Sequence, residues 1–252
     1  MRIPRVVALL VAVAALNVVC KSEPTAAALT DKGVANLKNA KTVQLDGIGS
    51  LALKAQNGIS FSFDFKLSGD AELPDKARMS VELTVLGNAF KVDTIAIAGK
   101  EYTLDAASGK WTAGSGTSKV TSVIDPLGNV DASVIHDVVE VDRPEIDGRK
   151  TRHLRYQADT TKIIAGMRQS AGASPQSISN AQGTGELWIR IDDSQIVRQL
   201  VKVSLDVDGL AGLASTGAAS SPTSASMEMS LDMHFSHHGE AFPKITAPPV
   251  AP

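Results

Sequence analysis

Four runs of this chain alternate apolar and polar residues with a period of two, and that pattern limits the fold more than any other feature. Ile59, Phe61, Phe63, Phe65 and Leu67 are interleaved with Ser60, Ser62, Asp64, Lys66 and Ser68. Ala77, Met79, Val81, Leu83 and Val85 alternate with Arg78, Ser80, Glu82 and Thr84. Val201, Val203, Leu205 and Val207 do the same with Lys202, Ser204 and Asp206, and Met227, Met229, Leu231, Met233 and Phe235 with Glu228, Ser230, Asp232 and His234. Successive side chains of a strand point to opposite faces, so each run presents one apolar and one polar face. Clean alternation of this kind belongs to antiparallel sheet with one face in water.

The connections agree. Gly87-Asn88, Gly99-Lys100, Ser108-Gly109, Asp147-Gly148 and Asp192-Asp193 separate strand-like runs, and these residue types tolerate the positive φ of tight hairpins. The pattern predicts a meander of long strands. Leu29, Val34 and Leu37 follow a helical repeat, with Thr30 and Asp31 as candidate N-cap side chains. A second helix is expected over Thr160 to Gln169, and a short helix or ordered loop over 117–135 around Asp125-Pro126-Leu127-Gly128. The segments 170–184 and 209–226 are rich in Ala, Ser and Gly and read as loops. Aromatic residues are only 4% of the chain, so its core must be filled by Val, Leu, Ile, Ala and Met.

A search for reaction chemistry returns little, and the expectation is a protein that is not an enzyme and needs no cofactor. Gly114-Ser115-Gly116 places its serine outside any nucleophile elbow, and neither a phosphate-binding Gly loop nor a His-Glu-x-x-His run is present. Asp192 and Asp193 read as solvated turn carboxylates. His234, His237 and His238 gather near Glu240, but adjacent strand residues point apart, so surface histidines are expected rather than a metal site. His136 and Glu140 share a strand face without forming a motif. The net charge is −2, and no basic stretch interleaved with aromatics supplies a nucleic-acid footprint.

The N-terminus reads as an export address. Arg2 and Arg5 precede Val6 to Val19, in which Asn17 is the only polar residue. Fourteen helical residues span about 21 Å, short of the roughly 30 Å hydrocarbon core, as in a secretory signal. Cys20, the only cysteine, follows directly and stands where a bacterial lipoprotein signal places its lipid-modified residue. The residue before it, Val19, is larger than such signals favour. Cleavage near Ala26-Ala27-Ala28, which would discard Cys20, is the competing reading.

Taken together, several segments resemble the mycobacterial lipoproteins of the LppX, LprA, LprF and LprG type. They are the Cys20 signal, the helix around Leu29–Leu37 and the strand opening Thr42-Val43-Gln44-Leu45. Glu145-Ile146-Asp147-Gly148 then leads to His153-Leu154-Arg155-Tyr156 and the helix near 160–169. Leu187-Trp188-Ile189-Arg190-Ile191-Asp192, Ile196-Val197-Arg198-Gln199-Leu200 and the ending Phe235 to Pro249 complete the likeness, which is one of order and texture over nearly the whole chain. It implies an α+β fold: a curved antiparallel half-barrel with a few helices over its concave apolar face. Residues 1–19 would be the signal, and 21–252 a single lipid-binding domain with a short disordered C-terminal tail.

The resemblance also implies a function. The protein would sit lipid-anchored on the extracytoplasmic side of the cell membrane, and would bind and carry an acyl lipid or lipoglycan. A membrane transporter is a further candidate partner. Phe61, Phe63, Phe65, Met79, Val81, Leu83, Val85, Val201, Val203, Leu205, Met227, Met229, Leu231 and Met233 would line an apolar cavity. A lipid with two long chains exposes roughly 30 methylenes, at about 0.8 kcal/mol each, so a carrier must bury nearly all of them. Alternation does not separate a filled core from an empty pocket. The rival readings are an exported structural or interaction module with a solid β core and no cargo, and a peptide-binding sensor or chaperone subunit.

Overall fold

The computed structural model describes residues 23–55, 58, 60–85, 87–114, 132–162, 178–208 and 224–250. Among these residues twelve strands form one sheet: β1 (Thr42–Ala55), β2 (Ser60–Glu72), β3 (Lys76–Val85), β4 (Asn88–Ile97), β5 (Lys100–Asp105), β6 (Lys110–Gly114), β7 (Ile135–Asp142), β8 (Glu145–Ile146), β9 (Arg149–Ala158), β10 (Ile178–Arg190), β11 (Ile196–Asp208) and β12 (Ser224–Ser236). The order is β6-β5-β4-β3-β2-β1-β12-β11-β10-β9-β7, with β8 paired to β9 alone. The chain thus runs outward as a meander from β1 to β6 and returns as a second meander from β7 to β12. The long antiparallel pairing of β1 with β12, Gln44 opposite Ser236 through Ala55 opposite Ala225, joins the two.

Tight turns form at or within a residue or two of the pairs read for them, at Ala98-Gly99 rather than Gly99-Lys100 and with Ser194 rather than Asp192 or Asp193 left-handed. Ala98 and Gly99 have φ of 49° and 80°, and Asp147 and Gly148 have 52° and 72°, the two consecutive left-handed residues that twist a tight hairpin correctly. Alternation holds as well. Gly47, Leu67, Val81 and Met233 share one face in register, while Ile48, Lys66, Glu82 and Asp232 share the other.

The helix α1 (Ala26–Asn39) lies across one end of the apolar face and buries Leu29, Thr30, Gly33, Val34 and Leu37. Its cap is Thr25, whose hydroxyl accepts from the Ala28 amide, and not Thr30 or Asp31. Thr30 instead donates to the Ala26 carbonyl from inside the helix, the back-bonding open to a hydroxyl there. A Cβ at Gly33 would lie 3.1 Å from both Ile189 and Ile196, so glycine lets the helix sit directly on β10 and β11. Asn36 then donates to the Asp193 and Ser194 carbonyls at 2.9 and 3.1 Å, fixing the helix to the β10–β11 turn.

The expected half-barrel is not what forms. The sheet is open, with β6 and β7 as unjoined outer strands, and it is neither strongly curved nor closed. The physical reason lies in the ladders. Tight coiling needs bulges that shift register, and such shifts occur here in the β7–β9 and β10–β11 pairs, while β1 to β5 and β12 pair without interruption. Helical cover among the described residues is α1, a 3-10 turn at Ala132–Val134 and the turn Thr160 to Lys162. The rest of the helix expected over 160–169, the segment around Asp125 to Gly128, Ile59 and Cys20 lie outside the described residues. The expected loops are shorter than read: β10 begins at Ile178 and β12 at Ser224, because Ala, Ser and Gly are tolerated where neighbouring strands supply the packing.

The C-terminal tail, expected to be disordered, is a strap across the opposite face of the sheet. The Gly239 amide donates to the Thr42 carbonyl at 2.9 Å, the Ile245 amide donates to the Glu72 carboxylate at 2.7 Å, and Val250 bridges Trp111 in parallel. Ile245 is buried with Ile95 and Tyr102, and Ile97, Trp111 and Phe242 pack around them. On β4 to β6 the outer face is therefore apolar, and the tail covers it.

Candidate functional site

Along the apolar face, burial changes from one end of the strands to the other. At the α1 end Val43 and Leu45 of β1 are fully buried, as are Phe235, Met233 and Leu231 of β12 to within a few per cent. Moving along β2, Leu67 is buried, Phe65 and Phe63 are half-buried, and Phe61 is 54% exposed, over about 20 Å of strand. On β3 Met79 is buried, Val81 and Leu83 half-buried, and Val85 exposed. On β12 Met229 and Met227 are half-buried beyond Leu231. Phe90 and Val92, opposite Leu83 and Val81 on β4, add to the open end, with Phe90 54% exposed. The sequence-predicted stripes of β2, β3 and β12 thus meet on one face, and among the described residues their far ends are exposed on β2 and β3 and half-buried on β12. Val201, Val203 and Leu205 of β11 share that face but are buried.

Two glycines in the apolar face carry aromatic rings from the next strand. A Cβ at Gly49 would fall 2.2 Å from Cζ of Phe65, and one at Gly185 would fall 2.1 Å from Cζ of Tyr156. Each pair is directly opposite in register, so the missing side chain lets a large ring lie over the strand. Tyr156 is locked there by its core position and by Gln199, whose amide donates to the phenol oxygen at 3.3 Å.

The polar face carries a row that alternation alone does not reveal. His153, Trp188, Arg198 and His234 are consecutive cross-strand neighbours on β9 to β12. His153 stacks on Trp188 with centroids 4.2 Å apart and places its ring nitrogens 3.0 Å from Asp142 and 2.8 Å from Glu186. The Arg198 guanidinium carbon lies over the Trp188 ring, 4.4 Å from its centroid, and the guanidinium donates twice to Asp232, at 2.9 and 2.6 Å. That carboxylate holds the guanidinium more basic than usual. Every group in the row is partnered, which marks a lock between strands.

The remaining sequence candidates are structural. Glu140 accepts from Arg143 and Arg152, and the Arg143 hydrogen bond is the leading cause of its lowered pKa. Arg143 also grips Glu23 at 3.0 and 2.6 Å, and Arg152 donates to the Pro24 carbonyl, so the chain entering α1 is pinned to the β7 edge. His136 pairs with its neighbour Asp137, and His237 with Glu240. Asp192 is held ionised by Arg149. Among the described residues no group of three His, Cys, Asp or Glu converges as a metal site, and no helix is long and apolar enough to cross a membrane.

Surface depressions of about 320 to 520 Å³ lie among the described residues, and the linings of four of them are largely Ser, Asp, Lys and Glu residues of the polar face. None is an enclosed apolar cavity. The one of about 520 Å³ runs over Ile48, Ser50, Asp64, Lys66, Glu82 and Asp232, opposite the apolar stripes.

No protein-family model and no curated protein matches the sequence. Solved structures do match. LprF from Mycobacterium bovis is 13% identical with a TM-score of 0.51, over 90% of this chain and 99% of that one. The lipoprotein LppX from Mycobacterium tuberculosis is 12% identical with a TM-score of 0.45, over 89% of this chain and all of that one. At such identity a match speaks for backbone architecture alone, and in that respect this chain has the fold of LprF.

Proposed function

We propose that this protein is an exported lipid-handling lipoprotein. It is tethered through Cys20 to the extracytoplasmic face of the membrane and holds the acyl chains of a lipid or lipoglycan against the open half of its apolar face. The observation that carries this reading is the gradient of burial. Evolving a solid β core would favour covering Phe61, Val85 and Phe90 as fully as Leu45 and Phe235, yet these remain exposed on a chain with the fold of LprF. Contiguous exposed apolar surface on a protein with a separate, well-packed core marks a binding surface. The work is physical and not covalent: each methylene laid on that face removes about 0.8 kcal/mol of unfavourable hydration.

Met229 tests the site, because it is half-buried at the border of the open half, whereas Leu205 on the neighbouring strand is buried. In native mass spectrometry of the protein recovered from cell envelopes, co-purifying acyl species are expected for the wild type. Met229→Asp should fold and lose most of them, since an unpaired carboxylate among acyl chains is costly. A bare apo mass for folded wild-type protein would favour the rival, an interaction module without cargo. That rival draws on one observation: the four depressions described above are open and lined largely by the polar face.

A further inference from the structure

On the polar face, where the C-terminal strap meets the central strands, a cleft of about 320 Å³ is lined by Gln44, Asp70, Arg78, Ser80, Asp93 and Trp111, with Ser68 and Ile95 between them. Trp111 forms its wall. The strap fixes that wall: Val250 bridges the Trp111 backbone, and Ile245 packs beside the ring with Ile95 and Tyr102. The floor comes from β1, β2 and β3 in register, Gln44 opposite Asp70 and Asp70 opposite Arg78. Arg78 and Asp70 face each other there, yet neither forms an ion pair among the described residues. The buried Ser80 hydroxyl has no hydrogen-bond partner either. This contrasts with the His153 row on the same face, where every group is engaged.

We propose that this cleft is a saccharide-binding site for a neutral mono- or disaccharide unit, separate from the apolar face on the other side of the sheet. The chemistry of the lining selects that class. Carboxylate, guanidinium, amide and hydroxyl groups together offer both acceptors and donors, which suits vicinal hydroxyls that also donate and accept. An anion would meet Asp70 and Asp93, and a cation would meet Arg78. The indole supplies a flat apolar surface for the C–H face of a pyranose, with a polar edge for its rim. The volume is at the small end of the range occupied by ligand pockets, about 300–1,000 Å³, which fits one or two rings.

Calorimetric titration of the full-length protein with methyl α-mannoside, trehalose and cellobiose, and with sulfate as the anion control, tests the proposal. At least one sugar should give saturable binding in the millimolar range, with sulfate giving none. Trp111→Ala and Arg78→Gln should each weaken that binding about tenfold. Arg78 is on the exposed face, so Arg78→Gln keeps its thermal midpoint and separates loss of the site from loss of the fold. Met229→Asp, on the other face, should leave sugar binding unchanged. The proposal is overturned if no sugar saturates up to roughly 10 mM, if sulfate binds in their place, or if both cleft variants bind as the wild type does.

Discussion

The two ends of the apolar face are written in the same alternating code but end in different environments. At one end Leu45, Met233 and Phe235 belong to the same buried cluster as α1 and the β10–β11 strands and disappear from solvent. At the other, Phe61, Val85 and Phe90 continue the same stripes with nothing described above them. Period-two patterning decides which face a side chain takes; what lies over that face depends on another element. The helix is too short to cover both ends: fourteen residues span about 21 Å, and a fourteen-residue strand about 46 Å.

Truncations should break this symmetry most visibly. Leu45→Ala removes a fully buried side chain from a packed cluster and should cost about 2–5 kcal/mol in chemical denaturation. Phe61→Ala removes a larger but half-solvated ring and should cost about 0.5 kcal/mol or less. Equal losses would mean that the open end is packed in solution.

A finer comparison uses the two covered glycines. Gly185→Ala drives a methyl into Tyr156, which is buried and tied to Gln199, and should cost about 1–3 kcal/mol by thermal melting. Gly49→Ala meets Phe65, which is half-buried and can swing toward the open side, so its loss should be clearly smaller. The reverse ranking would place the rigid half of the face at the wrong end.

The smallest expected effect is a pH dependence at the strap. Glu72 is hydrogen-bonded by Lys76 and then by the Ile245 amide, and these hold its carboxyl below the ordinary range. Its stabilising contribution is therefore complete above the unfolded value of about 4.3 and is lost as pH falls through the depressed folded value. Urea titrations of wild type and Glu72→Gln should converge in that acidic window and differ above it. A constant difference across the window would show that Glu72 does not hold the strap through its charge.

Much of the architecture is legible in the residues themselves. The stripes of β3, β11 and β12, the α1 face at Leu29, Val34 and Leu37, and the turns at Gly99 and Gly148 follow from local periodicity and φ preference. Three features do not. Sheet curvature depends on bulges, which leave no compositional mark in β1 to β5. The strap depends on Ile245 meeting Ile95 and Tyr102 across more than a hundred residues, a pairing that no local pattern encodes. The polar-face row of His153, Trp188 and Arg198, like the Trp111 cleft, exists only once register is known. Of the predicted lining residues, burial separates Val203 and Leu205 of β11, which are buried, from Phe61 on β2 and Val85 on β3, which are exposed, although Leu205 is level with Phe61 across the sheet, a difference that alternation alone does not show.

The most direct measurement of this account is photo-crosslinking with a fatty acid that carries a diazirine along its chain, followed by peptide mapping. Adducts are expected on residues 60–65, 81–92 and 227–229, with none on 43–47 or 231–235. Adducts concentrated at the α1 end, or an absence of specific adducts on folded protein, would contradict it.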